Sequence, residues 1–382
     1  MRLLHVVRTL DPAQGGPSES VRMFVLAHQH AGNQVEVASL DAPGRFERQV
    51  NCEVHACGPG RGVYGYAPKL LTWLRANRAR FDGVIVNGIW QYHTLAARQA
   101  CAGVRPYVVF SHGMLDPYFR RRFPLKHIKK LAYWTLAEAR NLNCANAVCF
   151  TSEVEKNIAA EGFPFKNFNR VVVPYGTTGP HLDRELARRL FLEHFPGLRS
   201  LRYLLFLGRI HPKKGCDLLL EAFAQAAAPG LRLVIAGPDQ TNWRSQLQAM
   251  AERLGIAERV HWTGMLNADL KWGALFGAEA FILPSHQENF GIAVADALSC
   301  GIIPLISDKV NIAPEILADG AGLVAPDTVG GCSDLIRDYQ ALAENELNLM
   351  RANAHACYLK RYSLANSVDI LYRALGLTNQ AL

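Results

Sequence analysis

The feature that most constrains the fold is a regular alternation of short apolar runs with longer segments of helical spacing. In the first half, the predicted strands are Leu3–Val7, Val35–Ser39, Val84–Asn87, Tyr107–Phe110, Ala147–Thr151 and Val171–Pro174. In the second half, they are Tyr203–Leu207, Leu231–Ala236, Val260–Thr263, Ala280–Leu283, Ile303–Ser307 and Gly322–Ala325. The segments Ser18–His30, Pro68–Arg78 and Lys126–Arg140 have helical spacing. This rhythm predicts parallel α/β sheets in both halves.

The length of 382 residues favours two domains over one core. We expect two doubly wound, Rossmann-like domains that face each other across a cleft, with ligands bound at the carboxyl ends of the strands. The expected bounds are 1–178 for the first domain, 179–200 for a linker, 201–360 for the second domain and 361–382 for a C-terminal helix that could cross back to the first domain.

The net charge of +8 is unevenly placed. Residues 1–180 carry 22 Lys and Arg against 12 Asp and Glu, a net charge of +10, whereas residues 181–382 carry 19 against 21, a net charge of −2. The two halves are therefore expected to meet different partners.

The apolar stretches are too short to span a bilayer, and the start of the chain is not typical of a signal peptide. Nine cysteines without a Cys-x-x-Cys pair indicate reduced, packed thiols. We therefore expect a cytoplasmic protein, with peripheral attachment to the inner face of the cell membrane as an open alternative.

Two loops could approach phosphate groups. Gly15 and Gly16 follow the first predicted strand and lead into a helix, although on these residues alone a plain strand-to-helix turn is favoured. In the second half, Arg209 and Lys214 follow a strand, and their cations suit a diphosphate, although a solvated basic loop is the alternative.

The segment from Pro284 to Ala297 (PSHQENFGIAVADA) carries two acids eight residues apart. Glu288 is expected in a strand-to-helix loop and Asp296 about two turns along the helix, so the acids could reach different parts of one extended polar ligand. Alternatively, Glu288 caps the helix and Asp296 is exposed. Asp296 sits among apolar residues, however, and a buried acid needs a partner.

Polar residues also follow strands of the first half. His112 is either a packed or capping residue or part of the site. Trp90, Gln91 and His93 follow another strand and are candidates for the acceptor side.

Taken in order, these motifs resemble the GT4 group of nucleotide-sugar-dependent, retaining glycosyltransferases with the GT-B fold (glycosyltransferase group 1). The resemblance covers most of the chain. Its motifs are Gly15-Gly16, Ser111-His112-Gly113, Ser152-Glu153, Val173-Pro174-Tyr175-Gly176, Gly208-Arg209, Lys214-Gly215 and the Glu288 segment.

The resemblance implies a role for each matching position. Arg209 and Lys214 would bind the donor diphosphate and stabilise it as a leaving group, and Gly15 and Gly16 would contact its phosphate. Glu288 would contact the donor sugar, and His112 would lie near the reacting sugar. The remaining donor-binding positions would be Asn289, Phe290, Gly291 and Asp296. Asp296 stands where the family has glutamate, which would change the contact with the ribose.

The implied activity is transfer of a hexose-type sugar from a UDP- or GDP-linked donor to a glycan or lipid-linked saccharide, in bacterial cell-surface polysaccharide biosynthesis. No cofactor or metal ion is expected, because cations replace an Asp-x-Asp metal site. The domain 1–178 would bind the acceptor and the domain 201–360 the donor. A GT-B epimerase or phosphorylase, or a non-catalytic sugar-nucleotide-binding protein, remains an alternative.

A basic stretch interrupted by apolar residues lies in the first half. It could be the solvated face of a helix, but we favour contact with anionic lipid. Nucleic acid is not expected, because no binding motif is present. The basic residues of the stretch are Arg120, Arg121, Arg122, Lys126, Lys129 and Lys130.

Overall fold

The computed structural model describes residues 1–14, 16–116, 124–164 and 167–377. The chain divides into two units, unit 1 with residues 1–176 and 364–382, and unit 2 with residues 177–363. Within the described residues, no helix combines the length and the apolar character that crossing a bilayer requires.

Unit 1 is built on a seven-stranded parallel sheet with the order β3-β2-β1-β4-β5-β6-β7. Its strands are β1 Arg2–Val7, β2 Gln34–Ser39, β3 Glu53–Ala56, β4 Gly83–Asn87, β5 Tyr107–Phe110, β6 Ala147–Phe150 and β7 Arg170–Val172. β1 pairs with both β2 and β4, so the strand order reverses there and the loops that follow β1 and β4 lie side by side.

The helices of unit 1 pack on this sheet. They are α1 Gly16–His30, α2 Pro68–Asn77, α3 Tyr92–Cys101, α4 Pro124–Tyr133, α5 Ala139–Asn143, α6 Glu153–Gly162 and α15 Leu364–Leu375. Short 3-10 turns span Pro12–Gln14, Glu47–Gln49 and Arg78–Arg80, and a π-helical turn spans Trp134–Glu138. The last helix, α15, buries Tyr372 against His28 of α1.

Unit 2 repeats the plan with a six-stranded parallel sheet of order β10-β9-β8-β11-β12-β13. Its strands are β8 Arg202–Leu207, β9 Leu231–Ala236, β10 Val260–Gly264, β11 Ala280–Leu283, β12 Pro304–Ser307 and β13 Leu323–Ala325. The expected pair of parallel, Rossmann-like sheets is confirmed.

The helices of unit 2 begin inside the segment that we expected to be a linker. They are α7 Arg184–His194, α8 Cys216–Ala226, α9 Arg244–Arg253, α10 Ala268–Gly277, α11 Ile292–Ser299, α12 Ala313–Ala318, α13 Val329–Ala341 and α14 Glu344–Cys357. Short 3-10 turns span Pro196–Leu198, Pro212–Lys214 and Ala257–Arg259, and a π-helical turn spans Tyr358–Tyr362. Gly273 of α10 leaves no room for a Cβ, which would lie 2.2 Å from the Ala187 carbonyl oxygen of α7. Helix α7 therefore packs as part of unit 2.

Candidate active site

Two loops of unit 2 meet at the point where the strand order reverses. β8 and β11 are neighbours, so the loops that follow them emerge side by side at the carboxyl edge of the sheet. The His286 N–H donates to the Lys213 carbonyl oxygen at 2.9 Å. Gly215 has a φ of 66°, and a Cβ there would lie 2.2 Å from the Pro284 carbonyl oxygen. The close approach of the two loops therefore requires glycine.

This approach brings together two of the residues that the sequence singled out. The Lys214 ammonium forms an ion pair with Glu288 Oε2, and the two side chains are 17% and 18% exposed. Burial, followed by the charge of Arg209, lowers the pKa of Lys214 to about 8. The Glu288 carboxylate acts in the opposite direction, because it favours the charged ammonium. The charge of Lys214 therefore depends on the balance between burial and Arg209, which disfavour the ammonium, and Glu288, which favours it.

Arg209 lies at the same edge, directly after β8. Its guanidinium is exposed and donates from Nη1 to Gln240 Oε1 at 3.2 Å. The strand ends here are held tightly, because Gly237 has no room for a Cβ, which would lie 1.8 Å from the Gly208 carbonyl oxygen. Arg209 and Lys214 are thus two cations that follow the same strand end, an arrangement that suits a diphosphate.

The turn before helix α11 is also fixed by its backbone. The Glu288 N–H donates to the Lys309 carbonyl oxygen at 3.0 Å, and the Glu288 carbonyl oxygen accepts from the Asn311 N–H at 3.0 Å. Asn289 Oδ1 accepts a hydrogen bond from the Asn311 amide at 3.3 Å. The turn is therefore bound to the loop after β12.

The turn ends on a buried ring and a glycine. Phe290 is 2% exposed and packs edge-on against Tyr362, with ring centroids 5.5 Å apart. Gly291 has a φ of 84° and directly precedes α11. This geometry presents the start of α11 at the carboxyl edge, where a helix N-terminus favours an anion.

Asp296 lies within α11 and is 3% exposed. Its Oδ1 accepts a hydrogen bond from the Thr177 hydroxyl at 2.6 Å, and its Oδ2 pairs with the Lys271 ammonium at 2.9 Å. The acid thus has the partners that its apolar surroundings demand. Ribose binding by Asp296 stays a prediction, and Lys271 and Thr177 are residues that sequence reasoning missed, because no motif marks either of them.

In unit 1, His112 follows β5 with a φ of 49°. Its Nδ1 contacts the Tyr175 hydroxyl, and its ring stacks on Phe110 with centroids 5.5 Å apart. Its Nε2 is buried and has no hydrogen-bond partner among the described residues. Burial, followed by the charges of His93 and His5, lowers the pKa of His112 to about 3. His112 is therefore a neutral imidazole at physiological pH.

The acceptor-side candidates Trp90 and His93 follow β4 and differ in their exposure to solvent. Trp90 is half-buried with a φ of 73°, and its indole N–H donates to the Met114 carbonyl oxygen at 3.0 Å. Its backbone N–H donates to Glu138 Oε1 at 3.3 Å. His93 is fully buried, and its Nε2 lies 3.0 Å from the Asn87 carbonyl oxygen. Trp90 is thus accessible in unit 1, whereas His93 lies beneath the surface.

Some residues named from the sequence lie outside the described residues or at their edge. Gly15, Arg120, Arg121 and Arg122 are outside the described residues, and the side chain of Lys126 is not described. Gly16 is the first residue of α1.

At the end of the basic stretch that the structure describes, the side chains differ in exposure. Lys129 is exposed, and Ile128 is 62% exposed and so does not pack inward. Lys130 is half-buried, with its ammonium 4.8 Å from the centre of a Trp90 ring.

Comparison with known families decides the class of protein. A profile described as "Glycosyl transferase 4-like domain" matches residues 15–176, and one described as "Glycosyl transferases group 1" matches residues 198–355. The chain belongs to the GT4-like, group 1 glycosyltransferases.

Relatives of this glycosyltransferase are distant but some align over the full length. A GDP-mannose:cellobiosyl-diphosphopolyprenol alpha-mannosyltransferase of Xanthomonas oryzae pv. oryzae is 27% identical, over 99% of this chain and 98% of the relative. A D-inositol 3-phosphate glycosyltransferase of Mycolicibacterium smegmatis is 31% identical, over 50% of this chain and 42% of the relative.

Solved structures share the fold. Anabaena HepE in complex with UDP matches with a TM-score of 0.76 at 18% identity, over 98% of this chain and 100% of that chain. The expected GT-B fold class is thereby confirmed.

Proposed function

We propose that this glycosyltransferase moves a hexose-type sugar, with retention of the anomeric configuration, from a UDP- or GDP-linked donor to a saccharide or lipid-linked saccharide acceptor. A relative that aligns over the full length is named for GDP-mannose and a polyprenol-linked acceptor, which makes these the first substrates to test. Assembly of bacterial cell-surface polysaccharide is the setting that such an acceptor suggests.

The observation that carries this proposal is the pair of cations at the carboxyl edge of unit 2. Lys214 and Arg209 are close enough for the charge of one to lower the pKa of the other. As the bond between the sugar and the diphosphate breaks, negative charge grows on the leaving oxygen, and fixed cations stabilise it. In this proposal the two side chains do the work that a metal ion does elsewhere, so transfer needs no metal ion.

In the proposal, the other candidate residues of each unit have distinct tasks. Glu288 holds Lys214 in place through Oε2 and contacts a hydroxyl of the donor sugar. His112, neutral and with its Nε2 unpartnered among the described residues, hydrogen-bonds to the reacting sugar. Asp296 is held by Thr177 and Lys271, so we do not assign it the role of a nucleophile. The proposed route to retention is a front-side, ion-pair route, as the family resemblance implies.

The test is turnover of GDP- and UDP-hexoses with a short-chain cellobiosyl-diphospholipid, with the anomer of the product read by NMR. Lys214→Ala should lower kcat by about 100-fold to 1,000-fold, the usual effect of removing one group that stabilises transition-state charge. Lys213→Ala is the matched control, because Lys213 is exposed in the same loop and forms no ion pair among the described residues. Wild-type turnover in Lys214→Ala would refute the assignment, and loss of activity in EDTA would refute metal independence.

Peripheral membrane binding is part of the proposal. It is supported by the exposed Lys129 and Ile128 on helix α4. Co-sedimentation with anionic liposomes should weaken when Arg120, Arg121 and Lys129 become Ser. Unchanged co-sedimentation would refute the lipid contact.

A further inference from the structure

Unit 1 contains a cavity of about 270 Å³ to which none of the motifs assigns a role. It lies at the carboxyl edge of the sheet, beside the loops that follow β1, β2 and β3. Arg8, Asp11, Asp41 and Arg45 line it, together with Leu40 and Phe46. The carboxyl edge of a parallel sheet is where ligands of such folds bind.

The walls of this cavity are fixed by the backbone. The Leu40 N–H donates to the Arg8 carbonyl oxygen at 3.1 Å, and the Leu40 carbonyl oxygen accepts from the Gly60 N–H at 3.0 Å. Gly58 packs so closely that a Cβ there would lie 2.1 Å from the Leu40 carbonyl oxygen. The wall that Leu40 and Gly60 form is therefore shaped before any ligand arrives, which lowers the entropic cost of binding.

The cavity combines charges of both signs. Asp41 Oδ1 accepts a hydrogen bond from the Thr9 hydroxyl at 2.6 Å, and Oδ2 accepts one from the Leu10 N–H at 2.9 Å. These bonds fix the carboxylate and leave lone pairs on both oxygens for a ligand. Among the described residues, neither Arg8 nor Arg45 forms an ion pair, and the Arg45 guanidinium lies 5.0 Å from the centre of the Phe46 ring.

This composition selects a class of ligand. An anion would meet the Asp11 and Asp41 carboxylates, and a cation would meet Arg8 and Arg45. A neutral polyhydroxylated ligand can accept from the guanidinium groups and donate to the carboxylates, while Leu40 and Phe46 receive its C–H face. The volume is slightly below the roughly 300–1,000 Å³ of drug-sized pockets, so one sugar ring is the appropriate size.

We propose that this cavity binds one uncharged hexose unit of the acceptor saccharide, with Arg45 and Asp41 hydrogen-bonded to its hydroxyls. The proposal rests on the proposed function, because it assigns the acceptor to unit 1. It gives Arg45 a role in acceptor specificity that no motif of the sequence indicated.

The kinetic test compares Arg45→Ala with Arg48→Ala, using GDP-mannose and the cellobiosyl-diphospholipid. Arg48 is exposed three residues away and does not line the cavity, so it is a matched control. Arg45→Ala should raise the KM for the acceptor by about 10-fold to 100-fold, the effect of losing a hydrogen bond to a charged group, and leave the KM for the donor unchanged. Arg48→Ala should change neither. An unchanged acceptor KM in Arg45→Ala would overturn the proposal while leaving the transferase function intact.

A binding test does not depend on turnover. Saturation-transfer NMR of the full chain with cellobiose and methyl mannoside should show contact that weakens in Arg45→Ala and in Asp41→Asn, but not in Arg48→Ala. Mannose 6-phosphate should show no preference over methyl mannoside. If neither neutral sugar binds, or if the phosphorylated sugar binds better through Arg45, the assignment of a neutral hexose is wrong. Failure of the proposed function would appear differently, as binding of cellobiose without transfer from any nucleotide sugar.

Discussion

At the scale of single residues, the charge of Lys214 should control the affinity for a nucleoside diphosphate. Its pKa is lowered to about 8, so the ammonium is present below that pH and is lost as the pH rises through it. We expect the Kd of GDP or UDP to increase about tenfold between about pH 7 and about pH 9, as one charged hydrogen bond to the diphosphate is lost. Calorimetric titration across this range measures the effect.

The control for this prediction is Lys214→Arg. A guanidinium stays charged throughout the range, so the pH dependence of the Kd should flatten. If the wild type and Lys214→Arg weaken in parallel as the pH rises, the titrating group is not Lys214.

Asp296 has a structural role, because its carboxylate binds both Thr177 and Lys271. Replacing it with alanine leaves the Thr177 hydroxyl and the Lys271 ammonium without their shared partner. The ammonium side chain is 27% exposed and can turn to solvent, so we expect a loss of about 1–3 kcal/mol in the free energy of unfolding. Urea denaturation of Asp296→Ala measures this loss.

The matched control is Asp334→Ala, which removes an exposed acid paired with Arg337. Such surface pairs contribute below about 0.5 kcal/mol. Equal stability of the two variants would contradict the structural role of Asp296.

Measuring the Kd of GDP in Asp296→Ala separately tests ribose binding, because a purely structural carboxylate would leave that Kd unchanged.

At the scale of elements, the packing of the two loops in unit 2 depends on Gly215. Gly215→Ala should destabilise the protein through both its φ of 66° and the contact of the new Cβ with the Pro284 carbonyl oxygen. Gly255→Ala has a matching φ of 68° with no atom within 4 Å of the new Cβ, so it reports the conformational cost alone. That cost is about 1–2 kcal/mol.

We expect Gly215→Ala to be the less stable variant and to weaken GDP or UDP binding at least tenfold, because the loops that carry Lys214 and Glu288 must separate. Gly255→Ala should bind nucleotide like the wild type. Thermal unfolding and calorimetry measure the two effects. Equal nucleotide affinities in the two variants would contradict the role of this close approach.

The elements show which features the sequence can reveal. Buried parallel strands such as β5, a continuous apolar run, and β9, which is apolar except for Arg232, have predicted and observed bounds that agree. The edge strand β3, Glu53–Ala56, was missed because its four residues alternate polar and apolar and none is fully buried. The predicted helix Lys126–Arg140 is interrupted by the π-helical turn Trp134–Glu138, which leaves no mark in the spacing of apolar residues.

The candidate site likewise contains residues that the sequence could predict and residues that it could not. Lys214 and Glu288 could be named because each follows a strand, and neighbouring strands bring their loops together. Lys271 could not be named, because its contact with Asp296 depends on how α10 packs beside α11. Sequence motifs therefore indicate residues that loops present, whereas partners supplied by helix packing require coordinates.

At the scale of the whole molecule, we expect unit 1 to be the unit that loses stability as the pH falls, because its interior contains several buried histidines. His5 Nε2 lies 3.1 Å from His28 Nε2, and His28 Nδ1 lies 2.8 Å from the Tyr372 hydroxyl of α15. Burial lowers the pKa of His5 to about 3 and holds that of His28 well below its usual value. Burial likewise lowers the pKa of His93 to about 4 and that of His112 to about 3. Within the described residues of unit 2, no histidine is fully buried.

The sign of the effect follows from proton binding. Below about pH 6.5 the unfolded chain protonates these histidines while the folded unit keeps them neutral, so stability is complete above that pH and falls as the pH decreases. Each histidine lowers the free energy of unfolding by about 1.4 kcal/mol for each pH unit of decrease in this range.

Urea unfolding at pH 7 and pH 5 should show this loss, and hydrogen exchange in peptides from β1 and α15 reports on unit 1. His28→Gln should reduce the slope by one such increment, whereas His181→Gln, which removes an exposed histidine, should not. A slope that is the same in both variants would show that the buried network does not set the acid limit.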